Sequence, residues 1–231
     1  MPPQDKHWNM PANKDKALML AQRQLSEFVY DAVNLEGINM TLPEVQTLLD
    51  GITVGGQKLS DQQITLNQAA AWKQLFQWLK QNEFTVESKI ACKLHAIAAK
   101  NEALEWGKFR SGGVLISGTN YTPPIASSLP NHYHAMLIDL EKLDDIYDQA
   151  IHLFLTMARS QFFYDVNKRM GRFMMNAHLL DHGYPAINLP ASSQQTFNQL
   201  MLGFYSSNDQ AEMNHFMRSC LDSRVVDILK E

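Results

Sequence analysis

Apolar residues recur along most of this chain at the three-and-four spacing of helices rather than the alternation of strands. From Lys16 to about Val33, Ala17, Leu18, Leu25, Phe28, Val29 and Ala32 follow helical spacing. Thr41-Leu42-Pro43-Glu44 reads as a capping box with an early proline, opening a short helix that stops at Gly51. Gly51 to Gly56 is polar and glycine-bearing, a linker. A longer helix is predicted from about Thr65 to Gln81 through Ala69, Trp72, Leu75, Phe76 and Leu79. Another runs from Thr85 to Leu104 through Ile90, Leu94, Ile97 and Ala98. Further helices fit 143–161, 191–205 and 210–221. Met170, Phe173, Met174 and Ala177 mark one more, closed by Gly183 and Pro185. The expected fold class is all-α.

One region breaks the pattern. Gly107 to Pro124 mixes β-branched residues with turn formers, and Val114–Ile116 is predicted to pair with Tyr121–Thr122 across Ser117–Asn120 as a small β-hairpin. At 231 residues the chain is long enough to bury a core without staples. We expect an N-terminal helical region over residues 1–62 and a helical core over 63–231. Cys92 and Cys220 are far apart, lack metal-ligand spacing and read as apolar residues of a reducing compartment. A net charge of −4 argues against a nucleic-acid surface. No apolar run approaches bilayer length, and Met1 to Trp8 has no signal-peptide core, so a soluble cytoplasmic protein is expected.

The chemistry is concentrated in Gln161-Phe-Phe-Tyr-Asp165-Val-Asn167-Lys-Arg169-Met-Gly-Arg172. This stretch leads into the predicted Met170 helix, so its polar groups sit at a helix N-terminus, where free amides and the macrodipole favour an anion. Arg169 and Arg172 are three apart and share a face. Two guanidiniums beside amide donors suit a polyphosphate, and Asp165 suits the magnesium that accompanies it.

The same residues resemble the signature loop of the Fic (filamentation induced by cAMP) family, His-Pro-Phe-x-Asp/Glu-Gly-Asn-Gly/Lys-Arg-x-x-Arg. Phe163, Asp165, Asn167, Lys168, Arg169 and Arg172 match, and Gly171 agrees with many members. Gln161 stands at the histidine, Phe162 at the proline and Val166 at the glycine. The resemblance implies a helical fold, ATP and Mg2+ as cofactors, and transfer of AMP to a hydroxyl side chain of a target protein. It also implies Asp165 as the magnesium ligand and Asn167, Lys168, Arg169, Gly171 and Arg172 as nucleotide-binding residues. Homodimerisation through helical faces is common in the family. Lys168 is shared with the Doc branch, whose toxins transfer phosphate, but Arg172 argues against that branch. The family histidine is the general base, and a carboxamide at Gln161 has no pKa near neutrality with which to replace it. His152, about 13 Å away along a helix, and His178, roughly 15 Å into the next one, do not reach; His132 and His134 read as surface residues. Val166 is either strained at a positive φ or held in the β region.

Two further segments resemble family elements. Gly107-Lys-Phe-Arg110 and Val114-Leu115-Ile116-Ser-Gly118 resemble the Fic flap, which implies that Gly113, Val114, Leu115 and Ile116 receive the target's backbone by strand addition. Ala32-Val-Asn-Leu-Glu36-Gly37 resembles the inhibitory-helix motif, which implies that Glu36 pairs with Arg172 and obstructs the γ-phosphate. The expected function is a protein adenylyltransferase lacking its usual base. The alternatives are an inactive ATP-binding switch for a partner protein, and a different transfer reaction on the same scaffold.

Overall fold

A computed structural model describes residues 3–231. Asn13 caps α1 (Lys14–Arg23), its side chain accepting the Lys16 amide. The stripe expected to run unbroken to Val33 is two helices: the chain turns at Gln24 and resumes as α2 (Leu25–Leu35), a break that no glycine or proline marks. α3 (Leu42–Leu49) carries the capping box in full, with the Thr41 amide donating to the Glu44 carboxylate at 2.6 Å. α4 (Leu59–Gln81) begins earlier than expected, so the division anticipated at residues 62–63 falls inside a helix. α5 (Ser88–Ala98) stops short of Leu104, and the chain runs on in turns. α6 (Leu129–Leu140) was not anticipated, although Leu129, Tyr133, Met136 and Leu140 form its buried stripe. The remaining helices are α7 (Ile146–Ser160), α8 (Asn167–Asp181), α9 (Gln194–Ser207), α10 (Ala211–Ser219) and a further unanticipated one, α11 (Ser223–Lys230).

The hairpin is a correction. Among the described residues, the one β pairing is an isolated parallel bridge between Gln4 and Asp145, and segments 114–116 and 121–122 form no ladder. The second arm runs into Pro123 and Pro124, which have no amide to donate. A side chain holds the two ends of the segment instead. Buried Arg110 donates through Nη1 to the Gly112 carbonyl at 2.6 Å and through Nη2 to the Pro124 carbonyl at 2.5 Å. Its Nε donates to the Gln161 carbonyl at 2.6 Å, so the same guanidinium also touches the signature loop.

The core is organised around α8. Met170, Phe173, Met174 and Ala177 face an apolar cluster containing Phe28, Trp72 and Leu94, as their spacing predicts. Met175 and Leu179 face a second cluster with Phe154, Phe197 and Phe204. A helix buried on all sides leaves its polar side chains dependent on internal partners. α7 packs closely on α8 because Gly171 has no side chain: a Cβ there would lie 2.8 Å from the Phe154 carbonyl oxygen. Asp145 starts α7 by accepting the Tyr147 and Asp148 amides, and it also holds the Lys6 amide and Arg218. Cys92 and Cys220 are unbonded and half-buried. Among the described residues, no helix is long and apolar enough to cross a membrane.

Candidate active site

The signature loop is the connection between α7 and α8. α7 ends at Gln161, which adopts the left-handed conformation with φ +50°. Phe162 and Phe163 are fully buried and anchor the turn. Val166, the residue before α8, has φ +66° and ψ +11°, so of its two readings the positive φ holds. That conformation costs a β-branched residue on the order of 1–3 kcal/mol and persists only where its surroundings enforce it. The enforcement is visible: Asp165 Oδ1 accepts the Val166 amide at 2.7 Å. Asn167 Oδ1 accepts the Phe163 amide at 2.9 Å while its Nδ2 donates to the Phe163 carbonyl at 2.8 Å.

The loop forms the floor of a cavity of about 500 Å³, the size of a small-molecule site. Gln161, Asp165, Val166, Asn167 and Lys168 line it from below, and Leu115, Ile116 and Ser117 of the flap from the side. Glu36 reaches it from the end of α2. Asn198, Met201, Leu202 and Tyr205 of α9 close the far wall, a contribution that the sequence signalled only as an ordinary apolar stripe. No side chain caps α8, so its first amides at Asn167 and Lys168 are left to whatever occupies the cavity. Asp165 is exposed, and its second oxygen makes no hydrogen bond within the described residues. Gly113 stands in the open, Val114 is half-buried and Leu115 is 89% exposed.

Three residues expected at the nucleotide do not line this cavity. Gly171 packs against α7, as described, and does not line the cavity. Arg169 is buried behind the loop in a bidentate pair with Glu102, Nη1 to Oε2 at 2.9 Å and Nη2 to Oε1. Nothing in the sequence pattern singled out Glu102, which sits in the turns after α5. Arg172 is also buried, and its Nη2 donates to Glu36 Oε1 at 3.4 Å, while Lys168 Nζ stands 3.8 Å from Glu36 Oε2. Burial pushes the Glu36 carboxyl up, but Arg172, Lys168 and Arg169 together outweigh it and hold the group below its ordinary value of 4.5. A depressed folded-state pKa places the ionic contact above about pH 4.5 and removes it only in stronger acid.

His95 was overlooked, although Ala91, Leu94, His95 and Ala98 share one buried stripe. Its Nδ1 accepts the Gly107 amide at 3.1 Å, which leaves the proton on Nε2, 3.3 Å from the Asp165 carbonyl. The ring stacks on Phe163 with centroids 3.8 Å apart. Burial, helped by the Arg169 charge and opposed by the Asp165 carbonyl, pushes its pKa down to about 4. The unfolded chain therefore binds a proton near pH 6.5 that the folded chain refuses, and stability falls as pH drops from 6.5 towards 4. Between pH 7 and 5 the urea-derived stability of His95→Gln is expected to fall by about 2 kcal/mol less than that of the native chain. Equal losses would remove His95 from this role.

The other histidines do not serve the cavity. His152 bonds Gln210, His178 is buried against Gln149, and His132 and His134 lie exposed on α6. Among the described residues no histidine lines the cavity. Gln161 itself is held in place, donating to the Ala158 carbonyl at 2.6 Å and accepting from Asn167 Nδ2 at 3.0 Å.

An uncapped helix start, a lysine and a carboxylate with an uncommitted oxygen thus share one cavity of an all-α domain. Residues 85–179 match the family model of the Fic/DOC family. It is 24% identical over 208 residues to the protein adenylyltransferase Fic of Drosophila willistoni, covering 85% of this chain and 39% of that protein. The corresponding protein of Aedes aegypti is 23% identical over 226 residues, covering 94% and 44%. The chain thus spans less than half the length of these curated relatives. In fold it is similar to a Fic domain-containing signalling protein of Bacteroides thetaiotaomicron, with a TM-score of 0.76 at 19% identity, covering 95% and 90% of the two chains. A Fic family protein of Desulfovibrio desulfuricans gives 0.70 at 19% identity, covering 90% and 64%.

Proposed function

We propose that this chain is a Fic-type protein adenylyltransferase that binds ATP with Mg2+ in the loop cavity and moves AMP to a hydroxyl of a target protein. One observation carries the reading: the uncapped start of α8, Lys168 and Asp165 open into one cavity beside the flap. The first-turn amides and Lys168 hold phosphate oxygens, and Asp165 holds the metal through its uncommitted oxygen. A single carboxylate suits magnesium, which Asp165 would hold. The ion's contribution is to neutralise charge building on the departing pyrophosphate. In the transfer the target's hydroxyl oxygen bonds to the α-phosphorus, the bond to pyrophosphate breaks, and the hydroxyl proton passes to solvent because Gln161 does not accept it. Glu36 occupies Arg172, which is thereby withheld from the outer phosphates. The extended Gly113–Ile116 segment, with Leu115 turned outward, receives the target's backbone.

A second reading, an ATP-dependent switch without transfer, is favoured by the lack of a histidine among the described cavity residues. Both readings require nucleotide binding restrained by Glu36. Isothermal titration of Mg-ATP into Glu36→Gly is expected to show at least about tenfold tighter binding than the native chain. No heat from either protein would overturn both. Binding with no AMP label on any protein of a lysate would leave the switch.

A further inference from the structure

We propose that the chamber behind Arg172 binds a single halide-sized anion, chloride under ordinary conditions. This chamber, about 30 Å³, lies between α2, α4 and α8 and shares no lining residue with the loop cavity. Arg169, Arg172 and Gln68 line it, at 4%, 8% and 1% exposure. Each brings a buried nitrogen with no acceptor in the protein: Arg169 Nε, Arg172 Nη1 and Gln68 Nε2. Among the described residues the one other buried side-chain atom in this condition is Arg218 Nη1, on α10.

Buried polar atoms are almost always partnered, so three unpartnered donors on residues around one chamber call for an acceptor. The neighbouring side chains do not supply it. Asn176 is committed to Ile187, donating to its carbonyl at 3.0 Å and accepting its amide at 2.9 Å. Asp31 accepts from Asn188 Nδ2 and from the Ala191 amide. One water accepts two hydrogen bonds and must also place two hydrogens of its own, whereas a halide accepts all three donors and donates nothing. Phe28, Trp72 and Phe173 stand in the wall, and the volume of about 30 Å³ suits a monatomic ion.

A ligand bound only by the folded state stabilises it by mass action. In nucleotide-free protein at a constant ionic strength of about 0.1 M, replacing gluconate with chloride or bromide is expected to raise Tm by about 4 °C or more. Gln68→Leu removes one donor and is expected to abolish most of that difference while the protein still melts cooperatively. Crystals grown in bromide are expected to show an anomalous peak within hydrogen-bond reach of Gln68, Arg169 and Arg172. That measurement needs no variant to fold. Equal Tm in chloride and gluconate, a halide effect that survives in Gln68→Leu, or water alone in the bromide crystal would each overturn the proposal. None of these readouts depends on nucleotide binding, so failure here leaves the adenylyltransferase reading untouched.

Discussion

Gln161→His is expected to raise transfer of label from ATP marked at its α-phosphate by about 10²–10⁴-fold, the usual contribution of a positioned general base. The backbone at this position favours the experiment. Residue 161 sits in the left-handed region at φ +50°, a conformation that histidine tolerates better than most side chains. It lines the same cavity as Asp165 and Lys168, so an imidazole there would open onto the bound phosphates. The substitution also frees Asn167 Nδ2 from the Gln161 carboxamide while leaving its bonds to Phe163 in place. The readout is cleanest in the Glu36→Gly background, where nucleotide occupancy does not limit the rate. If the double variant binds Mg-ATP yet labels no protein, including itself, more than the base has been lost, and the switch reading replaces the enzyme.

Glu102→Ala is expected to destabilise the fold by roughly 3 kcal/mol, because it strands a buried guanidinium. Arg169 is 4% exposed, and its pairing with Glu102 joins the turns after α5 to the first turn of α8. Glu102→Gln keeps one acceptor oxygen and is expected to cost less, and the double variant Glu102→Leu with Arg169→Met less than Glu102→Ala alone. Urea titration of the three proteins tests this. Loss of under about 0.5 kcal/mol in Glu102→Ala would mean that Arg169 finds another partner and is not fixed by this contact. The same result bears on phosphate binding. An arginine held at both nitrogens by one carboxylate braces the loop from behind, and Lys168 is left as the cation that lines the cavity.

The helical frame was legible because it depends on short-range spacing. Met170, Phe173, Met174 and Ala177 lie together in the core as their intervals require, and Thr41 and Glu44 form their capping box. The loop cluster was legible for the same reason, since Asp165, Asn167 and Lys168 are neighbours in sequence. What was hidden depends on contacts across many residues. Glu102 meets Arg169 sixty-seven positions away, and His95 meets the Asp165 carbonyl seventy positions away. No local pattern encodes such pairings. The hairpin failed for a related reason: β-branched residues at 114 and 116 signalled an extended chain, but extension is not pairing. Two prolines and a buried arginine decided the matter.

That arginine has a mechanical consequence. Arg110 grips the two ends of the flap and the carbonyl of residue 161 with one rigid, planar group, so the lid over the cavity and the turn beneath it are yoked. Lifting the flap by its base means surrendering all of these charge-assisted contacts together. A polypeptide seated along 113–116 would therefore meet a segment whose base is fixed to the end of α7.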